Sequence, residues 1–244
     1  KPFKVMARWG GHDQSTWFRL RAKIPQAFRG ARVAVMIRLA EHSHLAGLGP
    51  RQESGEALAY VNGAPYQGVD RNHEFIVLTE KARGGEAYEI LLEACPSTWL
   101  DMTHVLSRAE LAVMNTSIWD FYWDGTVYLD VVEALDTDSE ARRRLQALVD
   151  TAIRMVDLQR RDSPAFLDSI RRARRFLQEG LKAFETSHHL GKLTLIGHSH
   201  IDTAWLWPLR ETRRKVGRTW ASMLRLMEQY PEFVFAASQP ELYM

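Results

Sequence analysis

Alternating apolar and polar positions dominate the first part of the chain. Thr16 to Ile24 and Arg32 to Leu39 read as strands, and Leu58 to Tyr66 alternates around Asn62-Gly63, a dipeptide suited to a two-residue hairpin turn. Glu74 to Thr79 and Ala87 to Ala94 continue the pattern, with Arg83-Gly-Gly85 as the turn between them. Trp119 to Val132 holds Trp119, Phe121, Tyr122, Trp123 and Tyr128 and is read with this β region. Short strands at such spacing predict an antiparallel β-sandwich over residues 1–135.

The period then changes from two to 3.6. Thr137-Asp-Ser-Glu140 has capping-box spacing, and Ala141, Leu145, Leu148, Ala152 and Val156 follow on one stripe. Ser163 as N-cap with Pro164 in the first turn opens a second helix, whose apolar face is Leu167, Ile170, Leu177, Leu181 and Phe184. Residues 136–190 therefore read as a helical hairpin, with Thr186 to Gly191 as a linker. The arginines of this region, Arg171 to Arg175 among them, are interleaved with acidic residues, which suits a solvated face or a domain interface better than an RNA patch.

Residues 191–244 read as one βαβ unit: strand Leu193 to Ile196, helix Pro208 to Gln229 and strand Phe233 to Ala237. Leu209, Val216, Trp220, Met223 and Met227 are expected to face inward. Parallel strands need neighbours, so this helix face is expected to lean on the helical hairpin or to leave a patch that drives homo-oligomer formation. The fold class is α+β and multidomain.

The loop Gly197-His-Ser-His-Ile-Asp-Thr-Ala-Trp-Leu-Trp207 holds the concentrated chemistry. It follows an apolar run and precedes a helix, which places it at a strand's carboxyl end, where α/β folds bind ligands. His200 and Asp202, two apart, share a face on extended backbone, and an imidazole nitrogen with a carboxylate oxygen suits zinc or another divalent cation. His198 has the same parity and is a third candidate. The bland alternative for the histidines is a satisfied structural role. Trp205 is read as an indole that stacks on the apolar face of a pyranose, and Trp207, beside Pro208, as core.

Bulk composition narrows the partners. With 45% hydrophobic and 25% charged residues the chain is an ordinary globular one, and no apolar run approaches a membrane span. A net charge of +2 creates no field calling for nucleic acid or a membrane surface. Cys95 is the single cysteine, so no internal disulfide forms and a cytoplasmic location is expected.

Gly197-His-Ser-His-Ile-Asp-Thr-Ala-Trp-Leu-Trp-Pro-Leu-Arg-Glu-Thr212, then Leu224 to Phe235 and Ser238-Gln239, resembles the start of the catalytic domain of glycoside hydrolase family 38 α-mannosidases, in particular the cytosolic and bacterial branch. Trp17 to Pro25, Gly55 to Asp70 and Ser107 to Met114 are similar to the amino-terminal region of the same branch. The resemblance implies a zinc-dependent retaining exo-α-mannosidase acting on mannose-containing oligosaccharides or mannosides, with a seven-stranded barrel-like α/β catalytic domain. It makes His200 and Asp202 metal ligands and Trp205 a contact of the bound sugar, and it leaves His198 out of the ligand set. The family's nucleophile and a further histidine ligand lie well downstream of this motif and would fall beyond Met244. No catalytic residue is therefore assigned within these residues, and the 244-residue chain alone is expected to be inactive.

Two alternatives follow from the residues. An H-x-H at a first barrel strand also opens metal-dependent amidohydrolases, but the Asp-Thr-Ala-Trp continuation and the upstream β region favour the mannosidase. The sandwich could instead be a non-catalytic carbohydrate-binding module, a reading for which exposed Trp17, Tyr60 and Trp99 would be the evidence.

Overall fold

The computed structural model describes residues 2–11, 14–41, 55–95, 103–161, 163–184, 194–205 and 207–243. They form two compact units, Lys1–Val113 with Thr194–Met244, and Met114–Leu193.

The first unit is built on an antiparallel sandwich. Its strands are β1 (Arg8–Trp9), β2 (Thr16–Lys23), β3 (Arg32–Glu41), β4 (Glu56–Val61), β5 (Ala64–Val69), β6 (Phe75–Thr79), β7 (Ala87–Cys95) and β8 (His104–Met114). One sheet has the order β1-β8-β3-β6 and the other β2-β7-β4-β5. The core follows from alternation: Val35, Ile37 and Leu39 of β3 and Ile90, Leu92 and Ala94 of β7 are buried at every second position, in one cluster with Phe18, Ala57, Ala59 and Ile76. The turn between β4 and β5 places Asn62 at φ 51° and Gly63 at φ 86°, the two positive values that the hairpin expectation requires.

The second unit is helical. Helices α1 (Thr116–Ala134), α2 (Glu140–Arg154) and α3 (Pro164–Leu181) all touch one another. The reading of Trp119 to Val132 as β structure is thus corrected. This segment is apolar nearly all round, so it shows no clean helical stripe. Its helical order comes from the Asn115 cap, whose side chain accepts from Ile118 N, and from packing of Phe121, Tyr128 and Val132 with Leu145, Val149 and Leu177. Asp120 and Asp124, one turn apart on α1, both hold Arg174 of α3, at 2.6 and 2.8 Å. The expected hairpin is therefore joined by a third helix. Ser163 caps α3 as expected, accepting from Phe166 N. The α2 cap is Ser139 rather than Thr137.

Residues 194–243 return to the first unit. Parallel strands β9 (Gly197–His198) and β10 (Phe235–Ala236) flank helix α4 (Leu209–Gln229). The predicted strand Leu193 to Ile196 is displaced: Leu193 lies outside the described residues, and Leu195 is 79% exposed. An apolar run of this kind suits a strand with neighbours on both sides, and β9 pairs only with β10 among the described residues.

Helix α4 leans on the sandwich through β5 and β4. Its buried face is the predicted one only in part, with Val216, Trp220 and Met223 half-buried. Leu209 and Met227 are exposed, whereas Glu211, Thr212 and Arg218 are buried. The outer face of β4 and β7 presents the carboxylates Glu56 and Glu93, and α4 meets them with cations. Arg218 Nη2 lies 2.7 Å from both Glu56 Oε2 and Glu211 Oε1, Lys215 Nζ 3.2 Å from Glu56, and Arg214 Nε 3.2 Å from Glu93. Burial opposes ionisation of Glu56, and Arg218 with Lys215 overcomes it, holding the carboxyl below its usual range. The apolar stripe faces elsewhere: Trp220 stacks on Tyr243 at 5.0 Å and meets Phe235 edge-on at 5.6 Å.

Close approach of α4 depends on Gly68 of β5. Its N–H donates to Ser222 Oγ at 2.9 Å, and a Cβ there would stand 2.9 Å from that oxygen and 3.3 Å from the Arg218 carbonyl. Gly68→Ala is expected to cost about 1–3 kcal/mol through overpacking. Urea denaturation checks this, and an unchanged midpoint would count against the close-packing account.

Candidate functional site

Residues 199–205 and 207–208 form a loop between the carboxyl end of β9 and the first turn of α4. Ile201 N donates to Gln239 Oε1 at 3.1 Å, which ties the loop to the segment after β10. Thr212, buried on α4, organises the other end: its hydroxyl accepts from Ala204 N and from Trp207 Nε1, each at 3.0 Å, and donates to the Asp202 carbonyl at 3.2 Å. Those three bonds use the hydroxyl's donor and both of its lone pairs. The held geometry includes Ala204 at φ 54°, a left-handed conformation unusual for a residue with a Cβ and of the kind found where a loop serves a site.

His200 and Asp202 are brought together on this frame. Their Nε2 and Oδ1 atoms are 3.2 Å apart, with the side chains 64% and 45% exposed. His198 turns instead to Ser238, with Nε2 3.2 Å from Oγ. Trp205 is 61% exposed and meets Trp207 edge-on at 5.4 Å. Trp207 is half-buried and pinned, with Lys215 Nζ 4.7 Å from its ring centroid.

A cleft of about 330 Å³ opens beside the pair. The loop contributes His200, Asp202 and Trp207 to its lining, α4 contributes Lys215, and the turn between β5 and β6 contributes Asp70 and His73. The Asp70 carboxylate accepts from Asn72 N at 2.7 Å, from His73 N at 3.0 Å and from His73 Nδ1 at 3.0 Å. That side-chain bond lifts the pKa of His73 despite its partial burial.

As a donor set, an exposed imidazole nitrogen and a carboxylate oxygen fit two positions of a divalent-metal site, and zinc accepts both. Among the described residues no group of three His, Cys, Asp or Glu side chains gathers to hold an ion. A catalytic zinc takes about three protein ligands and one open position, more than these two side chains supply.

Thr212, Asp70 and His73 were not singled out from the sequence. Asp70-Arg-Asn-His73 is legible as an Asx-type turn, but nothing in it indicates which loop it will face. Glu211 and Arg210, equally readable as site or surface residues, separate in the structure: Glu211 is buried in the ion network and Arg210 is exposed. On the sandwich, Trp17 is over half exposed and packs on Tyr60 at 5.7 Å, while Trp99 lies outside the described residues.

Two consecutive family models match the chain. The model described as alpha-mannosidase, jelly roll domain, covers residues 1–116, and that of the glycosyl hydrolases family 38 N-terminal domain covers residues 190–244. The chain belongs to the family 38 α-mannosidases. Alpha-mannosidase 2C1 of Homo sapiens is 32% identical over 99% of this chain and 23% of its own length. Alpha-mannosidase of Saccharomyces cerevisiae is 32% identical over 57% of the chain and 13% of its own length. Alpha-mannosidase G of Dictyostelium discoideum is 27% identical over the full chain and 22% of its own length. The chain thus spans under a quarter of the length of these α-mannosidases. Its sandwich coincides with the jelly-roll match, and the His200–Asp202 loop falls in the family 38 match. No helix among its described residues is long and apolar enough to cross a membrane.

Proposed function

We propose that this chain contributes the sandwich and the first part of the metal and sugar site of a cytoplasmic, retaining exo-α-mannosidase that removes terminal mannosyl residues from oligosaccharides or mannosides. The observation that carries the reading is the adjacency of His200 and Asp202, 3.2 Å apart on a loop at a strand's carboxyl end, inside the region that matches the family 38 domain. His200 and Asp202 would hold the ion, for which zinc suits the mixed nitrogen and oxygen donors. When bound, such an ion supplies charge stabilisation at a sugar oxygen. Trp205 presents an exposed indole at the same loop, suited to the apolar face of a pyranose. Thr212 holds the loop so that these three side chains keep their places.

Retention requires two carboxyl groups about 5 Å apart, one attacking and the other protonating the departing oxygen. Asp202 is assigned to the metal, and the pair is assigned to the part of the enzyme outside these residues. The 244-residue chain by itself is expected to hydrolyse no aryl α-mannoside and to bind zinc weakly, since two ligands from one loop make an incomplete site. An assay of the purified chain against p-nitrophenyl α-mannoside, with zinc titration by calorimetry, tests this. Turnover that survives repurification would overturn the division of labour.

A further inference from the structure

We propose that the sandwich itself forms a wall of the substrate cleft, with His73 hydrogen-bonding a hydroxyl of the glycan residue next to the mannose held at His200 and Asp202. The inference rests on the functional reading above and extends it to residues outside the family 38 match, which begins at residue 190. The cleft of about 330 Å³ is lined both by His200 and Asp202 of the loop and by Asp70 and His73 of the turn after β5. That volume falls at the lower end of the roughly 300–1,000 Å³ of ligand sites. Trp205, the expected platform for the first ring, does not line the cleft, whereas Trp207 does. The shared lining joins the His200–Asp202 pair to Asp70 and His73 of the sandwich, and it is there that we place the adjoining sugar.

The geometry at Asp70 is more than a turn requires. Two backbone N–H bonds, from Asn72 and His73, already close it. The additional contact, Asp70 Oδ1 to His73 Nδ1 at 3.0 Å, fixes the imidazole plane and leaves Nε2 as the ring nitrogen available to a ligand. A sugar hydroxyl both donates and accepts, so it satisfies Nε2 whether or not that nitrogen carries a proton.

The test compares the full-length enzyme with His73→Ala and His73→Gln on an α-linked mannotriose and on p-nitrophenyl α-mannoside. His73→Ala is expected to raise KM for mannotriose about tenfold while kcat stays near wild type and the aryl mannoside is unaffected. His73→Gln, which keeps a polar group in reach, is expected to recover part of that loss. A mannotriose to aryl-mannoside KM ratio unchanged in His73→Ala overturns this inference alone. Equal loss on both substrates also overturns it, because it reports a structural role. A wild-type enzyme that hydrolyses neither compound overturns the functional reading and this inference with it.

Discussion

Alanine at either His200 or Asp202 in the full-length enzyme is expected to release the metal and to lower kcat/KM for an α-mannoside on the order of a thousandfold. The estimate follows from the several kcal/mol of charge stabilisation that a bound ion contributes, at 1.36 kcal/mol for each factor of ten. The two side chains are exposed and bonded chiefly to each other, so neither substitution should disturb the frame set by Thr212 and Gln239. Metal content by atomic spectroscopy, read beside the circular dichroism of each variant, separates ligand loss from unfolding. His198→Ala supplies the control: its partner is Ser238, and its metal content should remain at the wild-type level. Unchanged metal in both His200→Ala and Asp202→Ala would remove them from the ligand set.

Loss of the Arg218 guanidinium is expected to produce the largest stability change in the first unit. Its side chain is 8% exposed and that of Glu211 is 4% exposed, so Arg218→Ala strands a buried carboxylate. Breaking a buried pair from one side costs about 3–5 kcal/mol, and the lower end applies here. Arg214 stays within 3.4 Å of Glu211, and Glu56 is 43% exposed and can recover water. Chemical denaturation of the chain measures the loss. The double variant Glu211→Gln with Arg218→Met should recover much of it, because the stranded charge is then gone. A single variant as stable as wild type would mean that the network contributes nothing to seating α4.

Local order was legible where one segment carries its own signal. Asn62-Gly63 sets its hairpin because both residues accept positive φ, and Ser163-Pro164 starts α3 because one hydroxyl and one fixed φ suffice. Trp119 to Val132 was not legible: its aromatic and β-branched residues resemble strand, and the Asn115 cap together with contact with α2 and α3 selects the helix. Helix α4 failed differently. Its length was right, but periodicity registers apolar residues only, and the face that seats it carries Glu211, Arg214, Lys215 and Arg218.

At the site, the sequence by itself determined which side chains share one loop: His200, Asp202 and Trp205 lie within six residues and bring an imidazole, a carboxylate and an indole together. Tertiary structure decided what surrounds them. Thr212 fixes the loop from α4, Glu56 and Glu93 seat that helix from more than a hundred residues away, and Gly68 lets it come close enough to bring Asp70 and His73 to the same cleft. Residue chemistry is local and can be read along the chain. Which carboxylate meets which cation across two elements is set by packing, which no local pattern encodes.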